Sequence, residues 1–417
     1  MTHETGSLNG TSGRRDSPTD RLFDIGFFLI EAFAALEVTA VIVANARIAA
    51  SLGIREELSS MILNSYLYPL FGVMVLALIF SVWISRNVPP LPFFLSGLFL
   101  FSAGNITCFL SQAPPAFFAG RFVMGVGGAI AFAGQLWTLA DFHRWRITRP
   151  LVWGEVGAAL GVVAGPLVGG YFAQHSPGGW RDFFLLNAGL GLVTVVFATL
   201  GLRGRVAEHL TDTTPLGAEA PGRKTAIVMT AWQVAVSALI VGAEYLFSDY
   251  LQSKAGKSPM FVGGMTALAS VGAILGSLWA VRLEHRLHKL PPVSAAGLFA
   301  AVGVLAVCLD SKAFLLSGIP IFAAGLCMGL ASVSIYACIV KESAPPQFLT
   351  RSMVYLLGMQ SGNALGVQAV GIAEMLHLGV LSTAGLLAAV PLAITAGIAV
   401  YLKVQGGGTG EPVDAGG

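Results

Sequence analysis

Apolar residues gather into twelve long stretches of the chain, and polar residues are confined to the gaps between them. The stretches cover residues 25–50, 60–84, 91–112, 115–139, 149–172 and 182–202, then 225–248, 260–282, 292–310, 314–339, 352–374 and 379–402. Each is close to or above the roughly 20 residues that an α-helix needs to cross a bilayer. Lipid offers no partner to a bare N–H or C=O, so each stretch is predicted to be a helix that closes its own backbone bonds. The longest polar gap, RGRVAEHLTDTTPLGAEAPGRK at 203–224, splits the spans six and six. The pattern predicts an all-α integral membrane protein, with a six-helix bundle over 22–203, a linker over 204–224 and a second six-helix bundle over 225–403. The flanking segments 1–21 and 404–417 are polar and glycine-containing, and read as disordered cytoplasmic tails. Residues 1–20 lack the apolar core of a cleavable signal peptide.

The two halves share a local repeat. Residues 157–164 read GAALGVVA and residues 362–369 read GNALGVQA, a match at six of eight positions in the fifth span of each half. Such a repeat points to a transporter built from two related bundles, with its substrate site between them. Lysine and arginine set the orientation. With both tails and the even-numbered loops on one side, that side carries seventeen of them, against Arg55, Arg181, Lys254, Lys257 and Lys312 on the other. The basic side is the cytoplasmic one. Both termini are therefore expected in the cytoplasm, which requires an even number of spans.

Composition agrees and excludes several classes. The 417 residues are 55% hydrophobic and 11% charged, where a soluble domain carries about 25% charged residues. The net charge of +2, with no basic run, gives no footprint for nucleic acid. The four cysteines lie in apolar runs without CxxC spacing, and the seven histidines lie in loops, tails or helix ends. No metal or other cofactor is expected from them. No G-x-x-x-x-G-K-[ST] motif is present, so energy would come from a gradient. No Ser/His or His/Asp constellation falls within the spans, so the chain does not read as an enzyme.

Two features of the spans need a reason. Residues 154–170, GEVGAALGVVAGPLVGG, hold six glycines and a proline, although glycine costs about 1 kcal/mol and proline about 3 kcal/mol against alanine inside a helix. Gly157, Gly161, Gly165 and Gly169 form one ridge at intervals of four, and Gly358, Gly362 and Gly366 repeat it in the eleventh span. Small residues so spaced let two helix backbones touch, and Pro166 kinks the helix. The ridge is either a static packing face or a hinge or gate surface. The second feature is charge in the membrane, which costs roughly 3 kcal/mol or more per group. Glu37 lies about 16 Å into its span and Arg121 about 10 Å from the opposite edge, so the two can pair. Burial favours the neutral acid and an arginine favours the carboxylate. Moving Arg121 would therefore shift a proton on or off Glu37, the core of proton-coupled exchange. The other reading is a static pair that fixes helix register. Glu31 and Glu155, nearer the cytoplasmic edge, and Glu244, near the outer end of its span, join Thr39 and Asn45 as candidates to line a substrate cavity.

These stretches carry a resemblance. VVAGPLVGGYF is similar to the antiporter motif in the fifth helix of drug exporters of the major facilitator superfamily, through Gly165, Pro166, Gly169 and Gly170. LEVTAVIVANARI at 36–48 resembles the first-helix motif of the EmrB/QacA-type drug:proton antiporters, keeping an acid at Glu37 and Thr39 but holding Ala46 at the proline position. GRFVMGVGG at 120–128 keeps the fourth-helix arginine as Arg121, with Met124 for the usual glutamine. WRDFFLLNAGLG at 180–191 resembles W-R-x-x-F-x-x-N-x-P-x-G, with Gly189 for proline, and YLFSDYLQSKAGKSP at 245–259 carries Y-L-Q-x-x-x-G-x-S-P. The resemblance implies a major facilitator fold of twelve transmembrane helices in two six-helix bundles. That branch has fourteen spans, so a twelve-span member is implied. The loop between helices two and three departs from G-x-x-x-D-R-x-G-R-R: here it reads LIFSVWISRNVPPLP at 78–92, without the acid and with one basic residue.

The expected function is proton-coupled efflux of amphipathic drugs or small metabolites by alternating access, with Glu37 and Arg121 coupling protons. The Gly157, Gly161, Gly165, Pro166, Gly169 and Gly170 helix would act as the gate. The expected partners are a small-molecule substrate, protons and the lipid bilayer, with a periplasmic adaptor as some relatives require. The expected location is a bacterial inner membrane. A dedicated metabolite or siderophore exporter, a proton-independent facilitator, and a transport-dead sensor that keeps the fold are the alternatives.

Overall fold

A computed structural model describes residues 18–142, 148–175, 178–202, 223–283, 289–341 and 348–407. Most of the expected linker and the outer parts of both expected tails lie outside these. Among the described residues there are thirteen α-helices and no strand. The first half holds α1 (Pro18–Leu52), α2 (Met61–Ile79), α3 (Ser81–Asn87), α4 (Pro90–Leu110), α5 (Pro114–Phe142), α6 (Thr148–His175) and α7 (Trp180–Leu202). The second half holds α8 (Arg223–Asp249), α9 (Pro259–Arg282), α10 (Leu290–Asp310), α11 (Gly318–Lys341), α12 (Phe348–Met375) and α13 (Val380–Gly407). Eleven of these are long and apolar enough to cross a membrane. The twelfth span, α12, is more polar, and its polar groups have partners within the protein. Asn363 Nδ2 donates to Gln360 Oε1 at 3.1 Å, and Gln368 Oε1 accepts from Asn64 Nδ2 at 3.0 Å. The large exposed side chains of the spans include many apolar ones, such as Val281 and Val293, both 67% exposed. The chain is a multi-pass membrane protein.

The second span is shorter than its apolar pattern predicts. The helix expected over 60–84 stops at Ile79, turns at Phe80 and resumes as the seven-residue α3. Val88, next to Pro89, is extended at φ −117° and ψ 121°. A residue before proline is pushed out of the helical region in this way, so α4 starts afresh with proline in its first turn.

Both glycine ridges pack within their own half. A side chain at Gly157, Gly161 or Gly169 would strike the carbonyl of Phe28, Ala32 or Ala40 on α1, and one at Gly165 would strike Thr39. In the second half, Gly362 and Gly366 meet Val234 and Ala238 of α8 in the same manner. The sequence repeat is thus a structural one: α6 lies on α1 as α12 lies on α8. Pro166 and Gly170 turn another way. A side chain at Gly170 would meet the Pro259 carbonyl, and one at Gly263 the Pro166 carbonyl, both between α6 and α9.

The two bundles meet along a seam in the half of the molecule farthest from the termini, here called the far end. Asn45 Nδ2 donates to the Tyr245 hydroxyl at 3.0 Å, and the Ser59 hydroxyl lies 2.8 Å from the same oxygen. Ser59 also donates to Glu374 Oε2 at 3.1 Å. Ser248 donates to the Ile42 carbonyl at 3.0 Å and Gln252 to that of Val43 at 2.7 Å. The Met260 amide donates to Gln174 Oε1 at 3.2 Å, and Ser270 reaches the Val162 carbonyl at 2.7 Å, nearer mid-helix.

Candidate functional site

The site is assembled from four helices of the first bundle. Glu37 of α1 and Arg121 of α5 form an ion pair, and both side chains are fully buried. Asn187 of α7 donates to the second carboxylate oxygen at 2.6 Å, and Arg121 Nε donates to the Ile62 carbonyl of α2 at 3.0 Å. The guanidinium lies 4.9 Å over the Tyr66 ring and 5.9 Å from that of Phe184. Its Nη2 has no hydrogen-bond partner among the described residues. The two aromatic faces supply what an unpaired donor lacks, since a desolvated cation over a ring gains about 2 kcal/mol.

The other members of this cluster were legible only in part. Asn187 and Phe184 are the asparagine and phenylalanine of the W-R-x-x-F-x-x-N stretch, so the motif carried that signal. Its Trp180 Nε1 donates to Ser51 at 2.7 Å, and Arg181 Nε and Nη2 donate to the Ser111 carbonyl at 3.1 and 3.0 Å. This one motif therefore anchors α7 to α1 and α4 and delivers two groups to the ion pair. The Ile62 carbonyl and Tyr66 had no sequence signal. The Y-L-Q-x-x-x-G-x-S-P stretch is a joint. Tyr250–Lys254 forms one π-helical turn, Gly256 takes a left-handed φ of 64°, and the Ser258 side chain caps α9 at the Phe261 amide. The joint holds Gln252 against α1.

Of the cavity candidates, Glu31 and Thr39 bond within the first bundle, whereas Asn45 and Glu244 lie at the seam. Glu31 is half-buried and accepts from Gln135 Nε2 at 3.0 Å. The Thr39 hydroxyl turns back to the Ala35 carbonyl of its own helix at 2.9 Å. Asn45 is buried in the seam, not on an open wall, because Tyr245 takes its amide. Glu244 is buried on α8 and does not line an open vestibule, because the seam covers that end. Glu155 lies on α6, with its side chain outside the described residues. The Arg86 side chain of α3 is likewise outside them. Among the described residues no three His, Cys, Asp or Glu side chains converge to hold a metal.

The seam makes a direct prediction. Tyr245→Phe removes the group shared by Asn45 and Ser59. Each neutral bond is worth about 1 kcal/mol net, so the far-end-closed population should fall roughly tenfold or more relative to open states. Thiol labelling of a cysteine introduced at Ser60, which is buried against Gly371 of α12 and does not bond Tyr245, should accelerate accordingly, and an unchanged rate would show that the seam does not hold this end shut.

Comparison with known proteins agrees with this architecture. Residues 27–367 match the Major Facilitator Superfamily, and the chain belongs to that family. Among curated relatives, the MFS-type transporter grgE of a Penicillium species is 38% identical over 105 residues, 25% of this chain and 18% of that protein. The putative multidrug resistance protein MdtD of Serratia proteamaculans is 29% identical over 176 residues, 42% of this chain and 35% of that protein. The matched stretches thus span only 18% and 35% of the length of these two relatives. Among solved structures, the POT family transporter PepTSo superposes with a TM-score of 0.68 at 12% identity, over 93% of this chain and 99% of that one. A bacterial homolog of the human lysosomal transporter Spinster, inward-facing and occupied, gives 0.61 at 16% identity over 93% and 96%. At such identities the likeness speaks for the fold, which is the major facilitator fold.

Proposed function

We propose that the chain is a secondary active transporter that exports amphipathic drugs or small metabolites against proton entry by alternating access. The observation that carries the reading is the seam: two related bundles, tied at one end by hydrogen bonds that a rocking motion can break and remake. The positive-inside pattern favours termini in the cytoplasm, so the closed far end would face outward, and the molecule would stand in its cytoplasm-facing state. The limits 22–203 and 225–403 are proposed for the two moving bodies. Glu37 is the proposed proton carrier and Arg121 its counter-charge. Glu31, with Gln135, is the proposed cation contact on the cytoplasmic side. Pro166 and Gly170, facing α9, are the proposed sliding surface, while the glycine ridge holds α6 to α1. The drug:proton antiporter branch and a bacterial plasma membrane, with or without an adaptor, belong to the same proposal. Efflux pumps among the matching relatives support it.

The complete burial of the ion pair favours a second reading, in which Glu37 and Arg121 form a permanent clasp and the chain is a proton-independent facilitator. Proton counterflow in inverted vesicles separates the two. An added amphipathic cation is expected to draw protons from an acidified lumen only where the chain is present.

A further inference from the structure

Glu244 stands apart from the other acids of the spans. It lies on α8 one turn before Ser248, whose hydroxyl donates to α1, and beside Tyr245 of the seam. It therefore shares the face of α8 that looks across the bundle interface. Its side chain is 7% exposed and makes no hydrogen bond or ion pair with any described residue. Residues 235–248 are buried without a break, so neighbouring helices pack around α8 at this level.

Titratable groups on the elements packed against α8 include Tyr245 and Asp249 on α8 itself, Glu31, Glu37 and Arg47 on α1, Tyr355 and Glu374 on α12, and Tyr250 and Lys254 on the π-helical turn. Cys327, Tyr336 and Cys338 lie on α11, and Cys308 and Asp310 on α10. Glu37 is taken by Arg121 and Tyr245 by Asn45 and Ser59, while Arg47, Lys254 and Asp310 are exposed. None of them bonds Glu244. An ionised carboxylate enclosed without a partner is too costly to persist and takes up a proton instead. Parting the seam would separate α8 from α1 and bring water to this face, where the carboxylate is stable.

We propose that Glu244 is a second proton-binding site, distinct from the Glu37–Arg121 pair, that exchanges its proton with the far side and is protonated whenever the seam is closed. As the seam opens, the carboxyl gives its proton to far-side water. Before the seam can close, the carboxylate takes one back. Proton occupancy and closure are thereby linked. Because the proton is given up and recovered on the same side, the site gates closure without itself carrying protons across the membrane. The inference rests on the alternating-access part of the reading above, and on neither the substrate nor the direction of transport.

The test needs no substrate. Spin labels at Arg55→Cys and Gly379→Cys, on opposite bundles at the exposed far end, would report opening in lipid discs by electron–electron distance measurement. The four native cysteines would be replaced. Protons favour the closed state, so the far-end-open population should rise from about pH 5 to about pH 9, by up to about tenfold per pH unit for one linked proton. Glu244→Gln should stay closed with the slope gone, and Glu244→Asp should keep a slope. A wild-type slope in Glu244→Gln, or no slope in the parent chain, would overturn the proposal. A chain that shows the response yet moves no compound would sink the export reading and leave the site standing. A flat response in a chain that does export would sink the site alone.

Discussion

Glu37→Gln is expected to cost the folded chain about 3–5 kcal/mol, the penalty for leaving one member of a buried pair uncompensated. The glutamine still offers an oxygen to Arg121, but the guanidinium keeps its charge in a site fully closed to solvent. Asn187→Ala should cost less, about 1.5–3 kcal/mol, because it removes one bond to a charged acceptor. Removing both charges, as Glu37→Gln with Arg121→Met, should recover much of the loss, since neutral replacements of buried pairs are often near neutral. A double-mutant cycle of thermal unfolding in detergent reads this directly. Additive single changes would mean that the pair is not coupled.

Gly161→Leu should be nearly as damaging. Any Cβ there runs into the Ala32 carbonyl of α1, with the Ala35 methyl 3.0 Å away. A backbone carbonyl cannot rotate aside as a side chain can, so α1 and α6 would have to separate along their whole contact. Overpacking costs about 1–3 kcal/mol and sometimes more; with a leucine against backbone we expect at least about 3 kcal/mol. Gly366→Leu should behave alike at the matching place between α12 and α8, where a side chain would strike the Ala238 carbonyl. Gly189→Ala on α7 is the control: its Cβ would meet nothing within 4 Å, and a gain of about 0.5–1 kcal/mol is expected from helix propensity. The folded fraction by size exclusion and the melting temperature check all three. Equal stability of Gly161→Leu and Gly189→Ala would contradict the close approach of α1 and α6.

The contrast between these sites shows what a sequence can carry. Span positions follow from apolar runs, because lipid imposes length and internal bonding on every helix. The ridge at Gly157–Gly169 follows from its spacing, because only small residues at intervals of four allow backbones to touch. That Glu37 and Arg121 can meet follows from depth, since two charges at similar levels have few alternatives. The periodicity gave no direction for either ridge; only the packing separates the α1-facing glycines from Pro166 and Gly170, which face α9. Nor did it hint that Asn45, Ser59 and Tyr245 share one knot. Those bonds join residues about 200 positions apart, and a helix's own period says nothing of what stands across a bundle interface. The break at Phe80 was hidden for another reason. Residues on both sides of it are apolar, and hydropathy does not distinguish a turn from a continuing helix.

Exchange of an exported compound for a proton is read most directly from the lumenal pH of inverted membrane vesicles, acidified by respiration and followed by a quenched amine dye. Adding an amphipathic cation such as ethidium is expected to restore fluorescence in vesicles containing the chain and not in control vesicles. The response per folded molecule is expected to disappear in Glu37→Gln. Cation uptake that is present but indifferent to the pH gradient would contradict proton coupling and leave the facilitator. A full proton response in Glu37→Gln would remove the carrier role from this pair.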